Sequence, residues 1–254
     1  MTMFSANLGF LWQELQLPDA IRAAKAAGFD AVECHYPYDV PVERVQAALA
    51  ETGLTMLGLN TIRGNVAAGD NGLAAIPGRE EEARHAIEQA IDYANATGTL
   101  TVHVMAGKAS GEAARATFIA NLKHACERAA ETGVTILIEP LNHHDAPGYF
   151  LQTSEQALEI IAAVGATNIK LMFDCYHLQI MQGDLTRRLQ WSLNSIGHIQ
   201  IASVPDRREP DHGEIDYRYI LRLLEELGYD RPIGAEYRPA TSTDAGLRWL
   251  KDYR

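Results

Sequence analysis

Short apolar runs alternate with longer amphipathic runs along most of the chain. Eight of the short runs are predicted strands, because they are rich in β-branched or aromatic residues or are continuous apolar runs of strand length. In chain order they read SANLGFL, DAVECHY, TMLGLNT, TLTVHVMAG, TILIEPL, IKLMFDCY, GHIQIAS and PIGAEY. The clearest helix lies between Gly78 and Gly98, where alanines and isoleucines recur at helical spacing and form one apolar face. A second helix is predicted to begin at Thr153, since the T-S-E-Q that starts there is a capping box.

Many of the predicted helices end with a glycine just before the next strand. These glycines are Gly28, Gly53, Gly98, Gly133, Gly165 and Gly228. Glycine at this place can adopt the left-handed conformation that closes a helix. Repetition of helix, glycine and strand predicts successive βα units and a parallel sheet. About eight such units in 254 residues are what a closed (β/α)8 TIM barrel requires, so an α/β fold of this class is predicted.

The chain shows no sign of division into smaller domains. Neither a shift in composition nor a Pro/Ser-rich linker interrupts it, so residues 1–254 are predicted to form a single barrel domain. The absence of a G-x-G-x-x-G motif and of a P-loop argues against an open doubly wound sheet. The longest irregular segment, Arg63 to Gly78, follows the third predicted strand. A loop of this length is either a functional element such as a lid or a plain surface excursion.

Composition excludes several classes of protein. The net charge of −11 and the pI of about 5.3 give no basic surface for nucleic acid. Three widely spaced cysteines, Cys34, Cys126 and Cys175, indicate neither a disulfide framework nor a structural zinc site. The first twenty residues lack the pattern of a signal peptide, and no apolar run approaches the roughly 20 residues of a membrane span. A cytoplasmic protein without membrane or nucleic-acid partners is therefore expected, and homo-oligomerisation is left open.

Acidic side chains stand at the ends of three predicted strands. Glu139 ends the fifth strand, Asp174 the sixth and Glu236 the eighth. In a TIM barrel the carboxyl ends of the strands face the active site, so these carboxylates would converge. Each one alone fits an ordinary salt-bridged or solvated acid, but three together are costly unless a cation compensates them. With the amide of Gln200 on the seventh strand, the oxygen ligands suit Mg²⁺ or Mn²⁺ better than zinc.

Further polar residues lie near the same strand ends. They are Glu33 and His35 on the second strand, His103 on the fourth, Asn142 after the fifth, His177 after the sixth and Arg207 after the seventh. His198 lies two residues before Gln200 and should face the same side one layer deeper, where it is predicted to be a hydrogen-bonded core residue. Cys175 should point away from the site and pack as a small apolar residue.

Several motifs resemble those of one family. TILIEPLN, FDCYH, HIQIASVPDR with GEIDY, and EYRP resemble, in order and spacing, the xylose-isomerase-like sugar isomerase/epimerase barrels. NLGFLW, AGFDAVECHYPY and AGDNGLAAIPGREEEAR resemble the hydroxypyruvate isomerases within that group, so the resemblance covers nearly the whole chain. Many ketose epimerases of the group have histidine where Gln200 stands, whereas the hydroxypyruvate isomerases have glutamine. Cys34 and His35 depart from the bulkier apolar residues of these enzymes, which affects the shape of the substrate pocket.

The resemblance implies an enzyme and assigns its residues. Metal ligands would be Glu139, Asp174, Gln200 and Glu236; the catalytic pair would be Glu139 and Glu236; substrate-binding residues would include His177, Arg207 and Glu214, with His103 a further candidate from its strand position. The implied reaction interconverts hydroxypyruvate and tartronate semialdehyde through an enediolate stabilised by Mg²⁺ or Mn²⁺. Arg207 would hold the carboxylate of this small hydroxy-keto acid.

Other functions remain open at this point. A 2-oxo-tetronate isomerase or a ketose 3-epimerase would use the same metal and glutamates, and a metal-dependent dehydratase would differ in its product. A DNA-repair nuclease on a related barrel would need a histidine-rich zinc cluster and a basic face, which the charge of −11 disfavours. A non-catalytic sugar-binding barrel would have lost a ligand or an acid, and none of the four expected ligands is missing.

Overall fold

Nine strand segments form one parallel sheet in the computed structural model, which describes residues 2–254. They are β1 (Phe4–Asn7), β2 (Ala31–Glu33), β3 (Thr55–Met56), β4 (Gly58–Asn60), β5 (Thr101–His103), β6 (Thr135–Ile138), β7 (Ile169–Asp174), β8 (Ile196–Ile201) and β9 (Ile233–Ala235). Their order in the sheet is β3-β2-β1-β9-β8-β7-β6-β5-β4. The two edge segments, β3 and β4, are consecutive halves of one strand, so the sheet closes as an eight-stranded barrel. The predicted fold class is confirmed.

The break in the third barrel strand spans a single residue, Leu57. Hydrogen bonds continue across it on one side, because Leu57 N donates to Val32 O at 2.7 Å and Cys34 N donates to Gly58 O at 3.0 Å. On the other side the hydroxyl of Thr101 donates to Leu57 O at 2.8 Å. A side chain at Gly58 would lie 2.7 Å from that hydroxyl oxygen, so glycine gives Thr101 the room to make this contact.

Helices cover the outside of the barrel. They are α1 (Leu17–Ala27), α2 (Val42–Thr52), α3 (Glu80–Thr97), α4 (Gly111–Ala130), α5 (Ser154–Val164), α6 (Cys175–Met181), α7 (Leu185–Ser192), α8 (Tyr217–Glu226), α9 (Thr243–Gly246) and α10 (Arg248–Asp252), with short 3-10 turns at Val66–Ala68 and Leu193–Ser195. The apolar face predicted within residues 78–98 is buried in α3. Within residues 2–254, no helix is both long and apolar enough to cross a membrane.

The predicted helix ends are largely confirmed. Gly28 and Gly98 follow α1 and α3 in the left-handed conformation, with φ of 96° and 69°, and their N–H groups donate to carbonyls of the last turn. Thr153 caps α5, because its hydroxyl accepts a hydrogen bond from Gln156 N at 3.2 Å. The capping box differs in its second half: the side chain of Gln156 accepts from Gln152 N at 3.0 Å.

Alternate residues of β8 show how the barrel interior becomes polar. Ile199 and Ile201 are fully buried in the hydrophobic core. His198 and Gln200 point the other way and contact Glu33, which comes from β2. The period-2 alternation of a strand therefore separates an apolar outer layer from a polar inner one. The three cysteines are free and buried, as expected for Cys175.

Candidate active site

A cavity of about 320 Å³ opens at the carboxyl ends of the barrel strands. Its acidic lining comes from Glu139 and Glu236, the first residues after β6 and β9, and from Asp145. His103, at the end of β5, and His177, in α6, also line it. Three arginines complete the charged lining, namely Arg63, Arg207 and Arg238. The cavity therefore lies where a TIM barrel places its active site.

Four buried side chains converge beneath this cavity. One ligand atom from each of Glu139, Asp174, His177 and Glu236 can be chosen so that all lie within 4.8 Å of one another. The three carboxylates lie at or just after the ends of β6, β7 and β9, so the closed sheet brings them together, and His177 is added by α6, which follows β7 directly. His103 adjoins the group, with its Nδ1 3.5 Å from Oε2 of Glu139. Burial lowers the pKa of His103 to about 4, which makes it a neutral group near neutral pH.

Glu236 has a polar partner on every side. Its Oε1 accepts from Asn7 Nδ2 at 3.0 Å and lies 3.0 Å from His35 Nε2, while its Oε2 accepts from Arg207 Nη2 at 2.7 Å. The imidazole of His35 packs so closely over Gly9 that any side chain at position 9 would collide with it. Burial opposes ionisation of Glu236, but Arg207 and His35 outweigh it and hold the pKa of Glu236 below its usual range. Glu236 is thus an ionised carboxylate.

Arg207 is the buried cation of the site. Its guanidinium lies between the rings of Phe10 and Tyr176, 4.8 Å and 5.0 Å from their centroids. Besides Glu236 it contacts Asp145, with Nη1 3.2 Å from Oδ2. Its backbone is left-handed, with φ of 54°. Because two protein carboxylates already bind this guanidinium, its predicted role as a clamp for substrate stays a prediction.

Glu139 and Asp174 have the opposite electrostatic environment to Glu236. Burial, followed by the charge of Glu236, raises the pKa of both carboxyl groups. Three buried oxygen atoms here have no hydrogen-bond partner among the described residues: Glu139 Oε1, Asp174 Oδ2 and Gln200 Oε1. A divalent cation would satisfy these oxygens and offset the repulsion that Arg207 balances only in part. The side chains therefore fit a hard, oxygen-preferring metal ion.

His177 is oriented as a hydrogen-bond donor. Its Nδ1 accepts from the backbone N–H of Asn142 at 3.0 Å, so the proton of the neutral ring is on Nε2. Burial and the nearby Arg207 keep the pKa of His177 well below its usual range. The Nε2–H lies 3.6 Å from Asp174 Oδ2 and has no hydrogen-bond partner among the described residues. A protonated nitrogen cannot coordinate a metal, so His177 is equipped to donate to a bound molecule.

Gln200 is held by a second polar layer below the site. Its Nε2 donates to Glu33 Oε2 at 2.9 Å, and His198 Nε2 lies 3.1 Å from the same oxygen. Ser5 donates to the other oxygen of Glu33 at 3.0 Å. A side chain at Gly234 would collide with Glu33 and His198, so glycine leaves the space for this layer. Because Glu33 accepts only from the NH₂ end of the amide, Gln200 Oε1 is left to face the metal-binding group. The expected hydrogen-bonded His198 is confirmed.

Replacing Glu33 by glutamine is expected to weaken metal binding about 10- to 100-fold, the usual effect of losing a group that orients a ligand. The carboxylate of Glu33 offers two acceptor oxygens, whereas a glutamine would offer one oxygen and one NH₂ group. If the NH₂ group faces Gln200, the hydrogen bond that orients Gln200 is lost. Isothermal titration of the metal-free protein with Mn²⁺ measures the affinity. Glu51→Gln, which changes an exposed glutamate paired with Arg22, is the control. Equal affinities in the two variants would show that Glu33 does not orient the site.

The structure does not bring every predicted residue into the cavity. Glu214 lies exposed on the loop before α8, and its side chain does not line the cavity. Two further residues of the site were not predicted from the sequence: Asn7, which contacts Glu236, and Asp145, which contacts Arg207. Asn7 ends β1, so the strand-end rule that selected Glu139 would also have selected it. Asp145 lies in a loop, where no such rule applies.

Comparison with known proteins shows the family. Residues 21–253 match the model of the Xylose isomerase-like TIM barrel family. The chain belongs to this family. It is 47% identical over 257 residues to the 2-oxo-tetronate isomerase of Cupriavidus necator, covering 100% of this chain and 99% of the relative. It is 42% identical to the hydroxypyruvate isomerase of Escherichia coli, covering 100% of both.

One solved structure is also similar to this chain over its whole length. The crystal structure of AP endonuclease, family 2, from Brucella melitensis superposes with a TM-score of 0.96 at 40% identity and covers 100% of both chains. The two curated relatives are isomerases, so the predicted enzyme class, an isomerase, is confirmed. The family resemblance inferred from the motifs is confirmed as well.

Proposed function

We propose that this xylose isomerase-like barrel is an isomerase of a small hydroxy-keto acid. It exchanges the hydroxyl and carbonyl groups between two adjacent carbons and so interconverts hydroxypyruvate and tartronate semialdehyde. The observation that carries the proposal is the opposite electrostatic environment of two glutamates in one cavity. The pKa of Glu236 is held low by Arg207, whereas the pKa of Glu139 is raised by burial and by its acidic neighbours. In the metal-free protein, carboxyl groups with divergent pKa values fit the roles of an acid and a base.

The proton transfers use these two groups. In one direction, ionised Glu236 removes the proton from the carbon that bears the hydroxyl group, which leaves an enediolate. The proton of the substrate hydroxyl group then passes to the oxygen of the former carbonyl group, and Glu139 returns a proton to the adjacent carbon. Proton exchange with water restores the two glutamates. In the reverse direction the two glutamates exchange roles. Asn7, His35 and Arg207 hold the carboxylate of Glu236 in position, so a transferred proton arrives at a fixed oxygen.

Glu139, Asp174, Gln200 and Glu236 are the proposed ligands of a divalent metal ion, Mg²⁺ or Mn²⁺. When bound, such an ion supplies Lewis-acid stabilisation of negative charge on the substrate oxygens. The unpartnered oxygens of Glu139, Asp174 and Gln200 support this assignment. His177 is a proposed substrate-binding residue, because its Nε2–H can donate to a substrate oxygen. The buried position of His103 beside Glu139 supports a similar role for it.

A second candidate is a 2-oxo-tetronate isomerase. The relative from Cupriavidus necator, at 47% identity, carries that name, whereas the hydroxypyruvate isomerase of Escherichia coli is 42% identical. The two reactions move a proton within the same hydroxy-carbonyl unit and differ in the length of the acid. The acid/base pair and the proposed ligands serve either reaction equally.

DNA cleavage, which the name of the Brucella structure describes, is less well supported for this chain. Among residues 2–254 the one group of four potential metal ligands contains three carboxylates and a single histidine. The net charge of −11 also opposes binding to a polyanion. A cytoplasmic location stays a prediction, and homo-oligomerisation stays open.

Product analysis by NMR in deuterated water tests the proposal. A chelator first removes metal from the protein. Mg²⁺ or Mn²⁺ is then added, followed by hydroxypyruvate, a 2-oxo-tetronate acid or a free ketose. Conversion of hydroxypyruvate with deuterium at the reacting carbon is the expected result. Turnover of the four-carbon acid alone would establish the second candidate, and turnover of ketoses alone would contradict both.

A further inference from the structure

One half-buried arginine at the cavity, Arg63, has no anionic partner among residues 2–254. The guanidinium of Arg63 lies over the ring of Tyr36, with its central carbon 5.1 Å from the ring centroid, and is half-buried. Within residues 2–254, this side chain makes no ion pair or hydrogen bond. A guanidinium carries five N–H donors, so Arg63 presents an unused cationic fork to the cavity.

The other two arginines of the cavity differ from Arg63. Arg207 is paired with Glu236 and Asp145, at 2.7 Å and 3.2 Å, although its buried Nε has no hydrogen-bond partner among the described residues. Arg238 likewise has no ion pair among residues 2–254, but it is exposed to solvent, where its attraction for an anion is screened. Arg63 is therefore the arginine of the cavity that is both partly buried and without a hydrogen-bond or ion-pair partner among residues 2–254.

The backbone of Arg63 is held in place. Its carbonyl accepts from Gly72 N at 2.9 Å, closing the start of the 63–78 loop. Asp70 ties the loop together, accepting from Asn65 N at 2.7 Å and from Arg79 Nη1 at 2.9 Å. Further along, Gly72 forms a bridge with Ala106, just beyond β5. These contacts fasten the loop to the barrel and disfavour the alternative in which it acts as a lid.

Tyr36 links Arg63 to the reacting groups. Its ring packs beneath the guanidinium, and its hydroxyl lies 3.3 Å from the sulfur of Met105, which also lines the cavity. Burial raises the pKa of Tyr36 to about 12, and the charges of Arg63, Glu236 and Glu139 all act on this group. The cation and the two glutamates thus belong to the same small cavity.

We propose that Arg63 binds the carboxylate of the substrate and thereby selects hydroxy-keto acids over neutral ketoses. This proposal rests on the proposed function, because it requires a substrate with an acid group. A planar guanidinium can bind a carboxylate through two parallel hydrogen bonds, which a hydroxymethyl group cannot replace. Arg63, and not the Arg207 that sequence alone predicts, is then the residue that holds the substrate carboxylate.

Binding of glycerate and its neutral amide, glyceramide, tests the proposal without turnover. Calorimetry of the Mn²⁺-loaded protein should show a preference for glycerate, and Arg63→Met should reduce glycerate affinity about 10- to 100-fold with little effect on glyceramide. Arg63→Lys should recover part of the preference. Arg187→Met, which alters an exposed arginine of α7 paired with Asp184, is the control and should leave the preference unchanged.

The outcomes separate this proposal from the proposed function. An unchanged preference for glycerate in Arg63→Met, with the variant folded by its thermal unfolding, would overturn the role of Arg63. Loss of the preference in Arg238→Met alone would do the same. Absence of turnover of any hydroxy-keto acid by the unaltered protein would contradict the proposed function, whereas the glycerate measurement would still report on Arg63.

Discussion

Replacing Glu236 by glutamine is expected to lower kcat about 10³-fold while the barrel remains folded. General acid-base groups typically contribute about 10²- to 10⁴-fold, and the amide can neither take nor return the proton. Glutamine keeps the volume of the side chain and one acceptor oxygen, which can accept from Asn7 or from Arg207 but not from both. Glu139→Gln is expected to have an effect of the same size, since the second proton transfer depends on it. Deuterium incorporation into hydroxypyruvate, followed by NMR, measures both variants.

In these variants, the effect on proton transfer must be distinguished from the effect on metal binding. Because Glu139 and Glu236 are also proposed ligands, Mn²⁺ affinity is measured beside kcat, and kcat is compared at saturating metal. Glu214→Gln is the matched control: this exposed glutamate lies outside the cavity and should retain nearly full activity. Near-normal turnover in either Glu139→Gln or Glu236→Gln would refute the acid/base assignment.

Removal of divalent metal by chelation is expected to abolish turnover and to lower the thermal unfolding midpoint. A ligand at about 100 times its Kd stabilises the native state by about 2.7 kcal/mol. For a domain of this size that corresponds to a shift of about 5–10 °C. Readdition of Mn²⁺ or Mg²⁺ should restore both activity and midpoint, and scanning calorimetry measures the second. An unchanged midpoint and full activity after chelation would exclude a metal-dependent enzyme.

Metal binding is also expected to release protons. The pKa values of Glu139 and Asp174 are raised in the metal-free protein, so protonated forms persist at higher pH than for ordinary carboxyl groups. A cation binds the ionised forms, and its affinity should therefore fall as pH is lowered. For the same reason the metal-free fold should lose stability as pH rises through these raised values. Titration calorimetry in two buffers of different ionisation enthalpy counts the protons, and Asp174→Asn should release fewer.

The carboxylates of the site were predictable because they depend only on the barrel. Parallel strands that close on themselves bring their carboxyl ends to one rim whatever the loops do, so Glu139, Asp174 and Glu236 converge. The same reasoning reaches Gln200, whose position in β8 follows from strand alternation. The repeated glycines gave the βα order itself, since a left-handed residue after each helix is a local requirement.

Contacts made by loops were beyond prediction. Arg207 lies in a loop after β8, and its left-handed backbone turns the side chain towards Glu236. Glu214 is only seven residues further on and faces solvent. Sequence separation does not determine which of two such residues returns to the barrel. The donor state of His177 is a similar case, because it depends on one backbone N–H of Asn142.

The buried carboxylate of Glu33 gives the barrel a route to a different metal preference. It already accepts from an amide at Gln200 and contacts the imidazole of His198, so it can serve either kind of donor. A histidine introduced at position 200 would keep a donor to Glu33 and present nitrogen in place of oxygen. Such an exchange favours transition metals over Mg²⁺. A change of metal preference, in evolution or by engineering, would then require a change in the codon of residue 200 alone, provided that Gly234 stays a glycine.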